Sequence, residues 1–351
     1  MKVKPETYQQ LIQTICRKAG LDEEDARATA RILVRNDMLG VQTHGTYQLL
    51  TYIHKIKAGG IDPHAKPEVT AEGPAYARID AKHAIGPVGG MAGIRKAIEI
   101  ARKCGVSYVG VYNGSHYGTN TAYALEAVKE NMGVLVMSNT IKLMAAPGSK
   151  GPVIGNSPFC FAFPAGKHRA AFFDIATSTA AYTRILRARD DGEKLPDGWI
   201  VDGNGRPTND PHAEAFSLVP FGGHKGYGIA FLIEAMTGIL SGGAILGEVE
   251  QDGNRNLPNP YCVSHAFVVF DVSLILGRER FGERMDQAID EIHDSPKASG
   301  SSRIMVPGEI EMDKYKEAEK NGLVLADDIV ERVGKLCAEY ELDIQSAAYV
   351  P

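Results

Sequence analysis

Strand-like and helix-like segments alternate between about Pro67 and Asn139, and this alternation restricts the fold more than any other feature of the chain. In order, the segments are AYARID, GGMAGIRKAIEIARKCG, VSYVGVY, TAYALEAVKENMG and VLVMSN. Such a succession predicts an α/β layer in which helices cover a sheet. The periodicity leaves open whether the strands are parallel or antiparallel.

The two ends of the chain are predicted to be helical. Apolar residues recur at helical spacing from Tyr8 to Ile15, and acidic residues from Asp22 open a second helix, where the helix dipole favours them. The sequence GGIDP, which ends at Pro63, closes this region. Near the C-terminus, ADDIVERVGKLCAEYEL predicts an amphipathic helix with an acidic start.

An apolar segment, YGIAFLIEAMTGILSGGAIL from Tyr227 to Leu246, nearly reaches the ~20 residues that span a bilayer. Glu234 lies in its middle, and a carboxylate at that depth in a membrane is costly. The segment therefore predicts a buried helix that carries one functional or paired carboxylate.

Two segments rich in Gly, Pro and Asn are predicted to be loops. AAPGSKGPVIGNSP (145–158) is polar enough to line a site, and KLPDGWIVDGNGRPTNDP (194–211) is predicted to be an extended surface loop. A strand, HAFVVFDV, is predicted after the apolar segment.

Composition and charge exclude several classes of protein. The 351 residues predict about two domains, and the proportions of hydrophobic residues (44%) and charged residues (23%) are typical of globular proteins. The net charge of -5 provides no positive field that would attract nucleic acid or anionic lipid. The five cysteines are dispersed and form no Cys-x-x-Cys pair, so we expect no disulfide framework, no thiolate metal site and a cytoplasmic location.

The common phosphate-binding signatures are absent. Neither G-x-G-x-x-G nor G-x-x-x-x-G-K-[ST] occurs, so any nucleotide is bound without the usual Rossmann or P-loop sequence. A weaker anion signal is PFGGHKGYGIAFLIEA, where two glycines precede His224, Lys225 and a predicted helix. Backbone N–H groups, the helix dipole and the Lys225 ammonium could face one phosphate. The alternative is a glycine-rich start of a buried helix.

Three histidines, His44, His116 and His224, stand beside glycines and small hydroxyl residues. Histidine exchanges a proton near neutral pH, which suits the reduction of a carbonyl group. Each could instead be a hydrogen-bonded loop residue. Zinc binding is not supported by an i, i+4 pair or an H-E-x-x-H motif.

FFDIATSTA predicts a strand that ends on Asp174 and a helix that starts through Thr177 and Ser178. The Asp174 carboxylate could accept hydrogen bonds from sugar hydroxyls, or it could cap that helix. Local sequence favours the cap.

Seven segments together resemble the malate/L-lactate dehydrogenase family, which includes sulfolactate, ureidoglycolate and diketogulonate oxidoreductases and is distinct from the Rossmann lactate and malate dehydrogenases. In order from Asp37 to Glu311 they are DMLGVQTHG, VYNGSHYGTNTAYA, IGNSPFCFAFP, FDIATS, VDGNGRPTNDP, GGHKGYGIAFLIEAMTGILSGGA and VPGEIE. The resemblance implies interconversion of a 2-oxo acid, or a related carbonyl or imine, and the 2-hydroxy acid with NAD or NADP. It also implies a homodimer, and the family's unusual nicotinamide-binding fold would explain the missing glycine signature.

The fold implied by the resemblance is mixed α/β (α+β), with a non-Rossmann cofactor domain built on a mixed sheet and a mainly helical domain. The expected boundaries are residues 1–75 for the first part of the helical domain and 76–225 for the NAD(P)-binding domain. Residues 226–351 would complete the helical domain, with a strand near 264–272.

The resemblance also implies roles for individual residues. His44 matches a proton donor in some members, and His116 matches a proton acceptor in others, so either could be the acid/base. The substrate is expected at Thr43, Gln48 and Lys142. The cofactor is expected at Thr140, Phe173, Asp174, Ile175, Ala176, Thr177, Ser178, Thr179, His224, Lys225, Gly308, Glu309 and Ile310.

Three positions depart from the family pattern. Gln48 stands where many members carry an arginine that can hold the substrate carboxylate, and an amide cannot form that bidentate charged pair. Ile141 replaces the acid of ureidoglycolate-type members and resembles the diketogulonate branch, and Lys142 replaces the proline that follows. Lys142 is therefore a candidate carboxylate partner.

Two other classes of function compete with the dehydrogenase. They are a metal-dependent hydrolase or lyase with a His-rich site and a non-catalytic oligomeric binding protein.

Overall fold

A seven-stranded sheet lies at the centre of the computed structural model, in which residues 1–252 and 256–349 are described. The strands are β1 (Lys2–Val3), β2 (Glu68–Gly73), β3 (Tyr76–Asp80), β4 (Val106–Gly114), β5 (Met132–Ser138), β6 (Lys142–Ala145), β7 (Pro152–Gly155), β8 (Phe159–Phe163), β9 (Ala171–Ile175), β10 (Ile200–Val201), β11 (Pro207–Thr208), β12 (Ser217–Leu218), β13 (Val263–Asp271) and β14 (Leu323–Val324). The helices are α1 (Pro5–Lys18), α2 (Glu23–Met38), α3 (Leu49–Ala58), α4 (Gly86–Cys104), α5 (Asn120–Lys129), α6 (Tyr182–Asp191), α7 (His224–Glu234), α8 (Val272–Ile275), α9 (Arg278–His293), α10 (Glu309–Asn321) and α11 (Asp327–Glu339).

The central sheet is mixed, as the resemblance implied. Its strand order is β2-β3-β4-β13-β5-β8-β9. The β3–β4 pair is parallel and the other neighbouring pairs are antiparallel. A second sheet has the order β11-β10-β12-β6-β7. The predicted α/β layer is therefore confirmed, and the pairing that periodicity left open is mostly antiparallel.

Strand β13 lies in the middle of the central sheet, between β4 and β5. A boundary at residue 225 would separate β13 from both of its neighbours, and a boundary at residue 75 would separate β2 from β3. The predicted division into domains therefore cuts one continuous sheet, and it remains a prediction. Residues 253–255 and 350–351 of its last part lie outside the described residues.

Helices α4 and α5 cover one face of the central sheet and share a core with it. Gly93 allows α4 to pack directly on β13, because a β-carbon there would overlap the Phe267 ring. The predicted terminal helices are confirmed as α1, α2 and α11, which share a separate core with α3. The Asp22 side chain caps α2 by accepting a hydrogen bond of 2.9 Å from the Asp25 N–H.

Two predicted loops contain short strands. The segment 145–158 holds β7, which pairs with β6, and the segment 194–211 holds β10 and β11, which pair with each other. Both predictions were wrong in this respect, because strands as short as these fit between the glycines and prolines of a segment whose composition is typical of a loop.

The apolar segment from Tyr227 to Leu246 is only partly buried. It contains most of α7 and a π-helical turn, Ala235–Ile239. Glu234 is buried as expected, but the outer side of the segment is more than half exposed at Phe231, Leu232, Ile239 and Leu240. The prediction of a wholly buried helix was therefore wrong. In the described part of the chain, no helix is both long and apolar enough to cross a membrane.

Candidate active site

His44 and His116, which are 72 positions apart in the sequence, lie side by side with ring centroids 5.5 Å apart. His44 ends a 3₁₀ turn, Gln42–His44, between α2 and α3, and His116 follows the end of β4. Both side chains are half-buried. The structure therefore brings the two predicted acid/base candidates into one site.

Tyr52 of α3 holds the ring of His116. Its hydroxyl lies 2.6 Å from His116 Nδ1, and either atom can be the donor. Burial raises the pKa of Tyr52 well above its ordinary value, so the phenol stays neutral. Sequence reasoning missed Tyr52, although it lies one helical turn after Gln48 and therefore on the same side of the helix.

Both histidines are neutral at physiological pH. Burial lowers the pKa of His116 to about 3, and the nearby His44 and His265 contribute in the same direction. Burial also lowers the pKa of His44. A neutral imidazole can accept a proton from an alcohol, which is what oxidation of a 2-hydroxy acid requires.

His265, a third histidine that sequence reasoning missed, supports this region from β13. Its ring stacks on Tyr117 at 3.7 Å between centroids, and its Nδ1 lies 2.9 Å from the Ser138 hydroxyl at the end of β5. Burial lowers the pKa of His265 to about 3. The sequence feature that could have indicated His265 is its position as a polar residue within the apolar run VSHAFVVF.

Asp37 anchors the turn that carries His44. Its carboxylate accepts hydrogen bonds from the Thr46 hydroxyl at 2.6 Å and from the Thr46 N–H at 3.2 Å. The turn approaches Asp37 so closely that a β-carbon at Gly45 would overlap the carboxylate. Burial raises the pKa of Asp37 to about 8, although the bonds from Thr46 oppose the shift.

A polar cluster lies where β5, β7 and β9 end. Thr140 Oγ1 lies 3.4 Å from Asn156 Oδ1, and Asn156 Nδ2 lies 3.4 Å from Ser178 Oγ. The buried hydroxyls of Ser157 and Thr177 have no hydrogen-bond partner among the described residues. A buried hydroxyl without a partner is costly, so this cluster fits a polar ligand such as a dinucleotide.

The N-terminus of α7 meets this cluster. The N–H of Phe221 donates to the Thr177 carbonyl at 3.0 Å, and the Thr179 N–H donates to the Val219 carbonyl at 2.8 Å. His224 and Lys225 open the helix with exposed side chains. The N–H groups of Lys225, Gly226 and Tyr227 already donate to backbone carbonyls of the preceding turn. The fit to the phosphates of a nicotinamide dinucleotide therefore depends on the helix dipole and the exposed His224 and Lys225 side chains, next to hydroxyls that lack a partner among the described residues.

The segment from Phe173 to Ala176 does not lead into a helix, because α6 starts only at Tyr182. The predicted cap role of Asp174 was wrong for that helix. Asp174 Oδ2 instead accepts bonds from the N–H (2.7 Å) and the hydroxyl (2.8 Å) of Thr121, in the first turn of α5. Burial raises the pKa of Asp174 to about 6. Phe173 is 38% exposed on the other side of β9, and Ile175 ends this strand.

Gly308, Glu309 and Ile310 begin α10 next to β9. Gly308 has φ +94°, and a β-carbon there would lie 2.7 Å from the Phe172 ring. The carboxylate of Glu309 accepts a bond of 3.2 Å from the Val306 N–H and pairs with His293 at 2.9 Å. Ile310 is 45% exposed. These residues lie beside the strand that leads to Thr177.

The candidate substrate residues are divided between two places. Thr43 Oγ1 lies 3.0 Å from His44 Nδ1, and Gln48 Nε2 donates to the Thr43 carbonyl at 2.8 Å. Lys142 begins β6, away from these residues. Its backbone N–H donates to Gln251 Oε1 at 3.0 Å, and its side chain lies next to Gly247. No described contact joins Lys142 to either histidine.

The competing hypothesis of a hydrolase or lyase requires a His-rich metal site. Within residues 1–252 and 256–349, no group of three or more His, Cys, Asp or Glu side chains is arranged to hold a metal ion.

Comparison with known proteins identifies close relatives over the whole chain. The sequence model of the family described as malate/L-lactate dehydrogenase matches residues 3–334. L-sulfolactate dehydrogenase of Methanocaldococcus jannaschii is 34% identical over 98% of this chain and 99% of its own length. Delta(1)-pyrroline-2-carboxylate reductase of Ancylobacter novellus is 30% identical over 90% of this chain and 92% of its own length.

A solved structure shows the same fold. The sulfolactate dehydrogenase structure from M. jannaschii superposes with a TM-score of 0.91 at 32% identity, covering 99% of each chain. Together with the sequence matches, this likeness confirms the resemblance that the seven segments carried.

Asp37 should make stability depend on pH. Its carboxyl keeps a proton up to about pH 8 when folded but ionises near its ordinary value of 3.8 when unfolded. The stabilisation that comes from this raised pKa is thus complete below pH 3.8. It decreases as the pH rises and is lost once the pH has risen through 8. In urea unfolding from pH 6 to 8, wild type should lose up to about 1.4 kcal/mol per pH unit relative to Asp37→Asn. The exposed control Asp327→Asn should follow wild type, and parallel curves for wild type and Asp37→Asn would refute the assignment.

Proposed function

The chain belongs to the malate/L-lactate dehydrogenase family, and on this premise we propose that it interconverts a 2-oxo acid and the 2-hydroxy acid with His44 and His116 as the proton-handling pair. The class of reaction, nicotinamide-dependent oxidation of a 2-hydroxy acid, follows from the family. Membership gives no support to a metal-dependent hydrolase or lyase, or to a non-catalytic binding protein. The observation that carries the assignment of residues is the 5.5 Å contact between the two histidine rings.

His116 is the first candidate for the base in the oxidation direction. Its neutral ring accepts the hydroxyl proton at Nε2, while Tyr52 Oη, 2.6 Å from Nδ1, accepts the hydrogen bond of the resulting imidazolium. A nicotinamide dinucleotide, when bound, would supply the hydride acceptor at the substrate's C2 in this direction and the hydride donor in the other. In reduction, the imidazolium returns its proton to the C2 oxygen. His44 is the second candidate, because its ring lies next to that of His116.

The cofactor is NAD or NADP. We propose that its pyrophosphate lies at the start of α7, near His224 and Lys225, because that helix end is exposed beside unpaired buried hydroxyls. Thr140 and the segment from Phe173 to Thr179 would line the dinucleotide, with Gly308 to Ile310 next to β9. We propose that Asp174 holds α5 rather than a sugar hydroxyl, because Thr121 donates two hydrogen bonds to its carboxylate.

Activity should depend on the two histidines. A panel of 2-oxo acids and cyclic imino acids, assayed with NADH and NADPH in parallel, identifies the substrate and the cofactor. On the best substrate, His116→Asn or His44→Asn should lower kcat by roughly 10²–10⁴-fold in both directions, as expected for loss of a general acid/base. The exposed His54→Asn serves as the control and should retain activity. Full activity in both site variants would rule out the mechanism, and no turnover by wild type would rule out the function.

Substrate selection should differ from that of relatives with an arginine at position 48. Gln48 is tied to the Thr43 carbonyl and carries no charge. Ile141 packs in an apolar cluster with Val249 and Tyr261, which favours a substrate without a charged group at that point. We propose that Lys142 supplies the missing positive charge for the carboxylate, since its ammonium has no salt-bridge partner among the described residues.

Lys142→Ala should therefore raise KM for acid substrates about 10- to 100-fold with little change in kcat, as for loss of a charge-assisted hydrogen bond of ~1.5–3 kcal/mol. Steady-state kinetics on the acids identified by the panel measure this split. Lys150→Ala, which removes an exposed lysine nearby, should behave like wild type. If KM for every acid is unchanged in Lys142→Ala, the residue has no role in binding the carboxylate.

The exposed apolar side of α7 and its π-helical turn supports the homodimer. The inner side of the segment packs on the central sheet through Ile229, Ile233 and Met236. Its outer side exposes Phe231 and Leu232, an arrangement that marks a protein interface. We propose that a second copy of the chain covers it.

The free cysteines and the absence of a membrane-spanning helix from the described residues agree with a cytoplasmic location, which cell fractionation would check.

Leu232→Lys should dissociate the dimer, because burying an unpaired ammonium in an apolar interface is costly. Light scattering should give wild type twice the chain mass of 37.9 kDa and the variant a single chain mass at micromolar concentration. Val324→Lys, at another exposed apolar position, is the matched control and should remain dimeric. A monomeric wild type would contradict the proposal.

A further inference from the structure

We propose that Asn36 is a positioning residue that fixes the separation of His44 and His116. Asn36 belongs to the last turns of α2 and is fully buried. Its side-chain hydrogen bonds among the described residues go to the His44 carbonyl and to Thr119, and neither partner atom belongs to an imidazole ring or to a predicted cofactor residue. The inference rests on the proposed function, because it assigns Asn36 a role in the proton step of that reaction.

One amide group connects the two loops that carry the histidines. Asn36 Nδ2 donates to the His44 carbonyl at 2.9 Å, and Asn36 Oδ1 accepts from the Thr119 hydroxyl at 2.6 Å. Thr119 follows His116 by three residues and caps α5 by accepting from the Ala122 N–H at 3.3 Å. A shift of either loop therefore breaks one of these two hydrogen bonds.

The orientation of the amide follows from its partners. The His44 carbonyl can only accept a hydrogen bond, so it must face the NH₂ group of Asn36. The Thr119 hydroxyl already accepts from Ala122, so its hydrogen is available for Asn36 Oδ1. Only an uncharged amide satisfies both neighbours at once. An aspartate in its place would set a carboxylate oxygen against the His44 carbonyl.

Close packing makes the connection stiff. Gly118 lies between the two loops with φ +95°, and a β-carbon there would lie 2.5 Å from Asn36 Nδ2 and 3.2 Å from the His44 carbonyl. Arg35, the preceding residue of α2, donates to the Ala122 carbonyl and pairs with Glu126 of α5, both at 2.6 Å. The end of α2 is thus fastened to α5 by Arg35 as well as by the contact of Asn36 with Thr119.

Asn36 acts differently from its neighbour Asp37. Asp37 holds Thr46 and so fixes the turn that carries His44, but it has no described contact with the loop of His116. Asn36 alone of the two reaches both loops. The two hydrogen bonds of Asn36 thus form a bridge between the loops. The distance of 5.5 Å between the ring centroids of His44 and His116 depends on this bridge. A misplacement of ~1 Å in such a constellation can cost about 10²-fold in rate.

Kinetics should separate positioning from general stability. Asn36→Leu and Asn36→Asp should lower kcat about 10- to 100-fold per folded active site, with the dissociation constant of NADH or NADPH within twofold of wild type. Deuterium at C4 of the reduced cofactor should show a larger isotope effect in these variants. Thr29→Val, a buried change two turns earlier on α2, is the control and should alter neither quantity.

The Thr119 hydroxyl provides a second route to the same bridge. Thr119→Val should reproduce the loss in kcat, and Thr119→Ser, which keeps the hydroxyl, should restore activity to near wild type. The double variant Asn36→Leu/Thr119→Val should be little worse than the worse single variant, because both remove the same connection. If Asn36→Leu fails to fold, the Thr119 pair carries the test.

A readout without turnover keeps this inference separate from the proposed function. In protein labelled with ¹³C at histidine Cε1, the contact between the His44 and His116 rings should give a cross-ring nuclear Overhauser effect. It should persist in Thr29→Val and disappear in the Asn36 or Thr119→Val variants. Persistence in those variants, or kcat within twofold of Thr29→Val, would overturn the role of Asn36. A wild type inactive on every acid would overturn the proposed function, while this spectrum would still decide the bridge.

Discussion

The pairing of β13 between β4 and β5 is the constraint on which the site depends. Because β13 runs antiparallel to both neighbours, β4 and β5 run parallel to each other and end at the same edge of the sheet. His116 follows the end of β4, and Thr140 follows the end of β5. The loop with the proposed base His116 and the predicted cofactor segment therefore meet at one edge, with His265 of β13 packed between β4 and β5.

The helical region completes the site from the other side. His44 lies between α2 and α3, and its turn is held by buried polar groups rather than by apolar packing alone. Buried hydrogen bonds are costly to break and specific in direction, so they fix the position of a side chain more precisely than apolar contact. Tyr52 adds a third such bond, directly to His116. The proposed acid/base pair thus depends on contacts among three separate segments.

Much of this architecture could be predicted from the sequence. Helix and strand periodicity located α1, α2, α4, α5, α11 and the strands β3 to β5, because local spacing of apolar residues reports which side of an element is buried. The strand β13 was itself predicted, but its place in the sheet between β4 and β5 could not be, since pairing with strands more than a hundred residues away leaves no local trace. The apolar sequence of α7 does not distinguish a protein core from an interface, which is why its exposed side was missed.

The same limit applies to the site. His44 and His116 were singled out by the glycines and small hydroxyl residues beside them, and the family resemblance implied their roles, but no spacing in the sequence shows that their rings lie side by side. Asn36 and His265 were missed because each acts through partners distant in the chain, Thr119 and Ser138 respectively. Asp174 was assigned to the wrong helix for the same reason.

A crystal structure with a nicotinamide dinucleotide and oxamate, an unreactive analogue of a 2-oxo acid, tests the central claim most directly. The account predicts the pyrophosphate at the N-terminus of α7. It also predicts the oxamate carbonyl oxygen within hydrogen-bond distance of His116 or His44, with Tyr52 still bonded to His116 Nδ1. Oxamate bound away from both histidines, with the dinucleotide away from Lys225, would contradict it.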